Sequence, residues 1–588
     1  MNLVPILKLG GEWLSAEDAA NRSLVISETI ADGIRRVALE NRSGATVRPE
    51  ELGWRKEGRG DFDVPGLKFH VESWQVVSPC GVRNWNDEPF DYSQEYLPNC
   101  VSTPGDFHRG ERGRFLSDNA CCLRRPDGAM RLFGFTTGAD RFGHFDVKLG
   151  QDGIEAFFAL CACDRAELPD GGRIETESLL ILDGVDDGGA VRTSGSASLP
   201  YVGTEALFAA YAERWAADSH ARRRFAAPVG WCSWYYYFSK VTLADIIENM
   251  DWFAAHRDEP DFGKVRYIQL DDGWQTALGD WRGSNDKFPG GLARFADEAK
   301  RRGFVPAVWV GPFMVEEGSG IAVEHPDWLL RDAAGAPVST MGWRGGHKVF
   351  VLDATIPAVL AHLEALFRDI RALGIDYVKF DFCMLESSAP DAVYFDRTAT
   401  RAQALRRGME AIRRGFGDDG FILGGTMVFA PAVGIADAMR VSTDITPYWD
   451  KPGQHAEAPN VANVCRNIVH HAYMNGRLWV NDPDTLIVRD DHTELTQGEV
   501  ELWERAVSLA GGSLLLSDRM ATLSPERLAL VRRALAESGA WKNLRPVDRW
   551  ERTLPAVWEA ERGGRAARAI FDFDGRHGVR DEDRRSTP

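Results

Sequence analysis

The chain has 588 residues, which is long for one domain and favours two or three. Apolar residues make up 44% and charged residues 27%, as in ordinary globular proteins, and the net charge is -18. The negative charge argues against nucleic acid or an anionic membrane surface as a partner. A membrane-spanning helix needs about 18 consecutive apolar residues, and the sequence has no such stretch.

The number and spacing of the cysteines indicate the redox state of the compartment in which the protein resides. Nine cysteines are scattered along the chain without a CxxC pair or the spacing of a structural zinc site, so we expect free thiols and no metal. The segment 1–10 has one short apolar run with Lys8 inside it and lacks the pattern of a secretory signal. Together these features predict a cytoplasmic protein.

Residues 1–203 are predicted to form an antiparallel β-sandwich. Short apolar runs alternate there with Gly, Asp, Asn and Pro, which is the rhythm of strands and turns. The predicted strands are 23–26, 36–39, 67–71, 130–135, 155–160 and 179–182.

Residues 204–520 are predicted to form a catalytic (β/α)8 barrel, led by a linker helix at 204–218. Strands and helices alternate in this region, and that order is typical of a parallel sheet. The predicted strands are 229–235, 265–270, 305–310, 377–382, 421–424, 438–442, 478–480 and 513–516. An open doubly wound sheet is the alternative, and it is disfavoured because no GxGxxG motif follows the first strand.

Residues 521–588 are predicted to form a small C-terminal β domain. It begins with a helix at 524–538 and continues in short strands such as 556–559 and 567–573. The charged segment 581–588 is predicted to be disordered.

The predicted fourth barrel strand carries the most informative side chains. Because side chains alternate along a strand, Tyr377, Lys379 and Asp381 share one face, and the apolar residues between them share the other. The polar face would point into the barrel, near the carboxyl ends of its strands, where the active sites of such barrels lie. A neighbouring Lys keeps a carboxylate ionised, as a glycosidase nucleophile requires. The alternative is a simple buried Lys-Asp ion pair.

Two more strands end in carboxylates. Asp271 and Asp272 follow the second strand beside Trp274, and they could bind sugar hydroxyls, bind a metal or cap the next helix. Arg440 lies in the sixth strand, and Asp444 lies at or just beyond its end, where it could be a general acid or a turn residue. Two carboxyl groups on different strands are the minimum apparatus for cleaving a glycosidic bond.

Nine motifs, in order along the barrel, resemble those of the α-galactosidases of glycoside hydrolase family 36, in clan D. They are GWCSWY at 230–235, QLDD at 269–272, GDW at 279–281, WVGPF at 309–313, HPDW at 325–328, KFDF at 379–382, FILG at 421–424, MRVSTD at 439–444 and WVNDPD at 479–484. The segment ESWQ at 72–75, followed by Pro79 and Cys80, is similar to the tryptophan loop of the family.

The resemblance implies a retaining α-galactosidase that acts on oligosaccharides and needs no cofactor. It implies that Asp381 is the nucleophile and Asp444 the acid/base. It also implies a set of substrate-binding residues. They are Asp271, Asp272, Lys379, Arg440, Trp309, Trp74, Trp234 and Trp274.

One segment departs from the family pattern. After FILG, relatives usually have Cys-Gly-Ser, and this chain has Gly425-Thr426-Met427. The glycon could therefore be N-acetylgalactosamine. The motifs are also compatible with a galactosyl transferase of the raffinose-synthase type. A non-catalytic sugar-binding protein is less favoured, because both catalytic aspartates are present. The sequence does not predict the oligomeric state.

Overall fold

The computed structural model describes residues 1–74, 80–88, 111–186, 201–384, 389, 392–451, 458–575 and 577–583. Gln75 and Pro79 of the predicted tryptophan loop lie outside these residues, as does the end of the predicted disordered tail, 584–588.

The N-terminal region consists of strands and one short helix. In chain order they are β1 (Asn2–Leu9), β2 (Glu12–Leu14), α1 (Ala16–Ala20), β3 (Leu24–Ala31), β4 (Ile34–Asn41), β5 (Pro49–Glu57), β6 (Lys68–Val71), β7 (Gly81–Arg83), β8 (Arg114–Asp118), β9 (Ala120–Arg124), β10 (Ala129–Phe135), β11 (Gly143–Gly150), β12 (Gly153–Ala162), β13 (Arg173–Glu175), β14 (Leu179–Val185) and β15 (Tyr201–Val202).

These strands form two sheets around one apolar core. One sheet has the order β2-β1-β5-β12-β11-β8, and the other has the order β13-β4-β14-β10-β9-β6-β7, with β3 on β4 and β15 on β14. Trp54 and Phe145 of the first sheet pack in the same core as Phe69 and Phe133 of the second, and all four are fully buried. The predicted antiparallel sandwich is confirmed.

The central region alternates strands and helices. In chain order they are α2 (Thr204–Asp218), β16 (Val229–Cys232), α3 (Trp234–Tyr237), α4 (Leu243–Ala255), β17 (Tyr267–Leu270), α5 (Gly291–Arg301), β18 (Val305–Val310), β19 (Met314–Glu316), α6 (Gly320–Glu324), β20 (Arg331–Asp332), β21 (Ser339–Gly342), β22 (Lys348–Val351), α7 (Pro357–Ala372), β23 (Tyr377–Phe380), β24 (Ala392–Val393), α8 (Arg401–Phe416), β25 (Phe421–Gly424), α9 (Phe429–Ala432), β26 (Ala438–Arg440), α10 (Val461–His470), β27 (Val480–Asp482), α11 (Gln497–Ala510) and β28 (Leu514–Leu516).

Eight of these strands form the predicted parallel barrel. Their order is β28-β16-β17-β18-β23-β25-β26-β27. The backbone N–H of Ser513 donates to the carbonyl of Asn481 at 2.9 Å and joins the last two strands. Helix α2 also lies where the sequence predicts it, with Leu207, Tyr211 and Trp215 buried on one face.

Several barrel strands end earlier than predicted, and the sixth matters most for the site. Strand β26 ends at Arg440 rather than Ser442. The next donor that would extend the ladder is the backbone N–H of Asp484, and it donates instead to Oδ1 of Asp482 at 3.3 Å. The carbonyl of Val441 lies instead 2.8 Å from Nδ1 of His471. Asp444 therefore lies on the loop after β26.

The C-terminal region follows the prediction except at its end. It contains α12 (Pro525–Glu537), β29 (Trp541–Pro546), β30 (Val557–Arg562), β31 (Arg565–Asp572) and β32 (Gly578–Asp583), and its four strands form one antiparallel sheet. The prediction of disorder from residue 581 was wrong for 581–583, because this segment pairs with β31 and Asp581 accepts a 2.8 Å hydrogen bond from Arg505. Among the described residues, each helix lacks the length and apolar character required to cross a membrane.

Candidate active site

Asp381 follows β23 directly, at the carboxyl end of the fourth barrel strand. Its Oδ2 accepts a hydrogen bond from Nε1 of Trp309 at 2.9 Å. Its Oδ1 accepts from the backbone N–H groups of Phe382 and Thr426, each at 2.9 Å. Phe382 has a φ of +53°, an uncommon conformation for a bulky residue. This local strain lies beside the carboxylate, as often happens at functional sites.

The surroundings of Asp381 favour its ionised form. Burial acts to raise its pKa, but the charge of Lys379 and the hydrogen bonds from Thr426 and Trp309 outweigh burial, so the pKa lies below the ordinary value of 3.8. A carboxylate that is ionised and held by several donors is a suitable nucleophile. The side chain is 13% exposed, so a ligand can reach it.

Lys379 connects Asp381 to the second strand. Its Nζ lies 3.1 Å from Oδ2 of Asp271 and 3.6 Å from Oδ2 of Asp381. Burial acts to lower the pKa of Lys379, but Asp271 and Asp381 raise it well above the ordinary 10.5. The Lys-Asp ion pair considered as an alternative therefore exists, but it is part of a larger cluster that spans two strands. On the opposite face of β23, Val378 and Phe380 are buried in the core as predicted.

Asp271 and Asp272 are both buried at the end of β17. Asp271 accepts from Nε2 of Gln269 at 2.8 Å, and Asp272 accepts from Nε2 of Gln275 at 2.6 Å. The next helix, α5, begins only at Gly291, so the helix-capping alternative for the two aspartates is wrong.

Arg344 is a site residue that the sequence did not reveal. It lies between β21 and β22, in a small three-stranded sheet that joins the third barrel strand to α7. Its guanidinium forms an ion pair with Oδ2 of Asp272. Burial, together with Asp271 and Asp381, raises the pKa of Asp272, while Arg344 and Gln275 act in the opposite direction. No local pattern marks Arg344, because its partner lies far away in the chain.

Three tryptophans pack together beside Asp381. The ring of Trp281 lies 5.7 Å from that of Trp309 and 6.0 Å from that of Trp274. Nε1 of Trp274 donates to the carbonyl of Trp309 at 3.2 Å, and the side chain is almost fully buried. Trp274 thus supports Trp309 from behind, and its contact with a sugar stays a prediction.

Trp74 lies between the sandwich and the barrel. It is buried and lines a cavity of about 20 Å³, together with Glu72, Trp215, Phe429 and Tyr473. A cavity of this size holds about one water molecule. Phe429, which lines this cavity with Trp74, follows three residues after Thr426, whose backbone N–H binds Asp381. The role of Trp74 as a pocket wall stays a prediction.

The departing segment Gly425-Thr426-Met427 packs directly on Asp381. A Cβ atom at Gly425 would lie 2.5 Å from the carbonyl oxygen of Phe380 and 3.0 Å from Oδ1 of Asp381, so only glycine fits there. Met427 is 1% exposed and Thr426 is 8% exposed. Of these two, Thr426 is therefore the side chain that can contact a substrate.

Asp444 and Arg440 form the second carboxylate site. Nη1 of Arg440 donates to Oδ1 of Asp444 at 2.8 Å, and the Asp444 side chain is 55% exposed while that of Arg440 is 4% exposed. Asp444 opens into a cleft of about 660 Å³, whose lining includes Trp234, Phe238, Tyr448 and Glu494. The cleft combines aromatic faces with polar groups, as sugar-binding clefts do.

Two further residues surround Arg440. Asp484 accepts from Nη2 of Arg440 at 2.8 Å and from the hydroxyl of Tyr235. Asp484 is part of the WVNDPD motif, so the sequence drew attention to the segment but assigned the residue no role. The hydrogen bond between Tyr235 and Asp484 joins the segments that follow the first and seventh barrel strands. Because the two residues are far apart in the chain, no local sequence pattern predicts it.

The comparisons with known proteins agree with this architecture. A family model described as Melibiase matches residues 228–408. An α-galactosidase of Escherichia coli is 33% identical over 129 residues, which cover 20% of this chain and 17% of that protein. A galactosaminidase of Flavonifractor plautii acting on A type blood α-D-galactosamine is 29% identical over 140 residues, covering 23% of this chain and 13% of that protein. The chain thus spans less than a fifth of the length of these relatives.

Solved structures match nearly the whole chain. TtGalA, an α-galactosidase from Thermus thermophilus, superposes with a TM-score of 0.66 at 24% identity, covering 95% of this chain and 98% of that one. The GH36 α-galactosidase AgaA from Geobacillus stearothermophilus superposes with a TM-score of 0.60 at 13% identity, covering 94% and 74%.

Fold and site together define the class: a β-sandwich followed by a parallel (β/α)8 barrel with carboxylates at the carboxyl ends of its strands. Within this class, the family model over residues 228–408 and the α-galactosidase relatives agree with the predicted resemblance to glycoside hydrolase family 36, and the structural neighbours share the fold.

Proposed function

We propose that the protein is a retaining glycoside hydrolase that removes terminal α-D-galactosyl residues from oligosaccharides. The observation that carries the proposal is the state of Asp381. It is held at the barrel mouth by Lys379, Trp309 and Thr426, with a lowered pKa and an accessible side chain. Asp444, on the loop after β26, supplies the second carboxyl group that the reaction requires.

The two carboxyl groups divide the reaction into two displacements. Asp381 forms a bond to the anomeric carbon while the bond to the leaving oxygen breaks and Asp444 donates a proton to that oxygen. Asp444 then takes a proton from water, whose oxygen attacks the anomeric carbon and releases Asp381. Both steps invert the anomeric carbon, so the configuration is retained overall.

The buried polar groups around Asp381 suit the hydroxyls of a hexose. Asp271, Asp272, Lys379 and Arg344 converge there with donors and acceptors of both charges. Galactosides are the ligands of two structural neighbours: TtGalA was solved with p-nitrophenyl α-D-galactopyranoside, and AgaA with raffinose. We take a terminal galactosyl group as the glycon of this chain on that basis.

The cleft at Asp444 supports an oligosaccharide leaving group. Its volume of about 660 Å³ exceeds that of a single sugar ring, and Trp234, Phe238 and Tyr448 offer apolar faces. We therefore expect stachyose or raffinose to be turned over with a lower KM than melibiose.

A second candidate is hydrolysis of α-N-acetylgalactosaminides. Thr426 replaces a residue of the family pattern and contacts Asp381, and a relative acts on a galactosamine glycon. A third candidate is the transfer of galactose to a sugar acceptor, as in a raffinose-synthase type reaction. It differs from hydrolysis in its product, which is an oligosaccharide instead of free galactose. We also propose a cytoplasmic location, since the described cysteines are all buried and none of them forms a disulfide.

The deciding experiment compares nitrophenyl α-glycosides of galactose, N-acetylgalactosamine, glucose and arabinose as substrates of the wild-type protein. We expect the galactoside to have the highest kcat/KM and free galactose to be the product. A preference for N-acetylgalactosamine would select the second candidate, and release of oligosaccharide products at low acceptor concentration would select the transferase. Lack of turnover on all four would overturn the proposal.

A further inference from the structure

The loop after β26 packs on the C-terminal sheet. The indole of Trp449 stacks on the imidazole of His577, with the ring centres 3.9 Å apart and 13° between the ring planes. The ring of Phe573 lies 6.4 Å from the same indole. His577 and Phe573 both lie in the segment between β31 and β32. The proposed reaction gives this contact no role.

His577 is itself held from the side of the barrel. Its Nδ1 donates to Oε1 of Glu499 at 2.7 Å. The other oxygen of Glu499 accepts from the backbone N–H of Thr496 at 2.7 Å, in the capping box that begins α11. The Glu499 side chain is 7% exposed. A helix end therefore fixes the carboxylate, and the carboxylate fixes the imidazole.

Other contacts hold the first half of the loop 445–451. The carbonyl of Pro447 accepts from the backbone N–H of Glu494 at 2.7 Å and from the hydroxyl of Thr493 at 3.2 Å. These bonds fix the chain at Pro447. The stack on His577 fixes the half of the loop that follows.

The residues of this second half line the cleft of the leaving group. Nζ of Lys451 lies 4.0 Å from the centre of the Tyr448 ring, and both side chains line the cleft of about 660 Å³ into which Asp444 opens. Asp444 is held separately, by Arg440 at 2.8 Å. A shift of Trp449 would therefore move the aromatic wall of the cleft and leave the carboxyl group in place.

We propose that His577 is a positioning residue for the leaving group: through its stack on Trp449 it holds Tyr448 against the sugar that departs. This inference deepens the proposed function and rests on it, because it requires a saccharide in the cleft. A loop already held in its binding conformation lowers the cost of ordering it on binding. When only a fraction of the molecules hold that conformation, the apparent affinity falls by the same fraction.

The test compares two substrates of the variant His577→Ala. Raffinose places a disaccharide in the cleft, whereas α-galactosyl fluoride releases only a fluoride ion. We expect KM for raffinose to rise about 3- to 10-fold with kcat unchanged, which is the typical effect of losing one aromatic contact. We expect kcat/KM for α-galactosyl fluoride to equal that of wild type, because its leaving group does not use the wall of the cleft.

Three further variants keep the test decisive. His577→Phe restores a ring for Trp449 without the hydrogen bond to Glu499, and it should recover part of the affinity for raffinose. Trp449→Ala removes the other partner of the stack and should raise the same KM, so it decides the question if His577→Ala does not fold. The double variant should raise KM no further than Trp449→Ala, because both changes remove one contact.

His256→Ala is the matched control. The imidazole of His256 stacks on Trp252 with ring centres 3.9 Å apart and 17° between the planes, and its Nδ1 donates to the carbonyl of Trp252 at 2.7 Å. This pair lies at the end of α4, on the face of the barrel opposite the carboxyl ends of the strands. The control should have wild-type kinetics on both substrates. An unchanged KM for raffinose in His577→Ala and Trp449→Ala, or an equal loss on both substrates, would overturn the inference.

Hydrogen exchange separates this inference from the proposed function. Measured by mass spectrometry on the protein without substrate, it reports the opening of the loop 445–451 independently of turnover. We expect this segment to exchange faster in His577→Ala than in wild type and in His256→Ala. Equal exchange in all three proteins would overturn the inference. Lack of turnover of both substrates by wild type, with faster exchange in His577→Ala, would overturn the proposed function and keep the positioning role.

Discussion

The indole N–H of Trp309 donates to the carboxylate of Asp381 across neighbouring strands, at a distance of 2.9 Å. Trp309 pairs in register with Lys379 in the parallel ladder between β18 and β23. A side chain near the end of one strand can therefore reach the residue that follows the next. The barrel ladder itself thus fixes the orientation of the candidate nucleophile.

Trp309→Phe keeps an aromatic ring and removes this donor. We expect kcat for a nitrophenyl α-galactoside to fall by roughly 100-fold, because a fixed donor in an active site is typically worth this much. Trp281→Phe is the control, since the Trp281 indole N–H has no hydrogen-bond partner among the described residues. Equal losses in the two variants, measured by steady-state kinetics, would show that packing rather than the hydrogen bond matters.

The lowered pKa of Asp381 predicts the acidic side of the pH profile. The folded-state pKa lies below the ordinary 3.8, since Lys379, Thr426 and Trp309 outweigh burial. The ionised carboxylate therefore contributes stability above pH 3.8, and that contribution disappears as the pH falls through the lower folded value. We expect kcat/KM to show no loss attributable to Asp381 between pH 5 and 7. An acidic limb in that window that moves to higher pH when the charge of Lys379 is removed would contradict the assignment, because such a limb would report an Asp381 that is not fully ionised there.

Asp444→Ala removes the candidate general acid. We expect kcat/KM to fall by roughly 10²- to 10⁴-fold for melibiose and much less for a nitrophenyl galactoside, whose leaving group needs little proton assistance. Azide should restore part of the rate with the nitrophenyl substrate and yield a galactosyl azide. Equal losses on both substrates would count against Asp444 as the acid.

Arg344→Ala tests the residue that the sequence did not reveal. Loss of the guanidinium leaves Asp272 buried without its cation, so its position changes and its hydrogen bonding to a substrate weakens. We expect KM for the galactoside to rise by roughly 10-fold, with partial recovery in Arg344→Lys, since a lysine keeps the charge but loses the fork of donors. Arg282→Ala is the control, because that arginine pairs with Asp369 at the surface. An unchanged KM would remove Arg344 from the site.

The sequence predicted those parts of the structure that follow from the order and alternation of residues close together in the chain. The strand-helix alternation predicted the barrel, and the alternation within 377–382 placed Lys379 and Asp381 on the polar face. Asp272 and Arg344 are 72 residues apart, and Tyr235 and Asp484 are 249 apart. Such contacts depend on how the strands and the inserted sheet come together, so a single sequence gives them no signal. The end of β26 was also missed, because it depends on the backbone N–H of Asp484, which donates to the side chain of Asp482 instead of to β26.

The central claim is that Asp381 attacks the anomeric carbon, and covalent trapping tests it most directly. The reagent is a fluorinated α-galactosyl fluoride, which forms the covalent galactosyl-enzyme quickly while the hydrolysis of that intermediate is slow. We expect one galactosyl adduct, which peptide mass spectrometry locates on Asp381. Asp381→Asn should form no adduct and lose turnover, whereas Asp419→Asn at the exposed surface should behave as wild type. An adduct on another residue, or inverted product from the wild-type protein, would contradict the account.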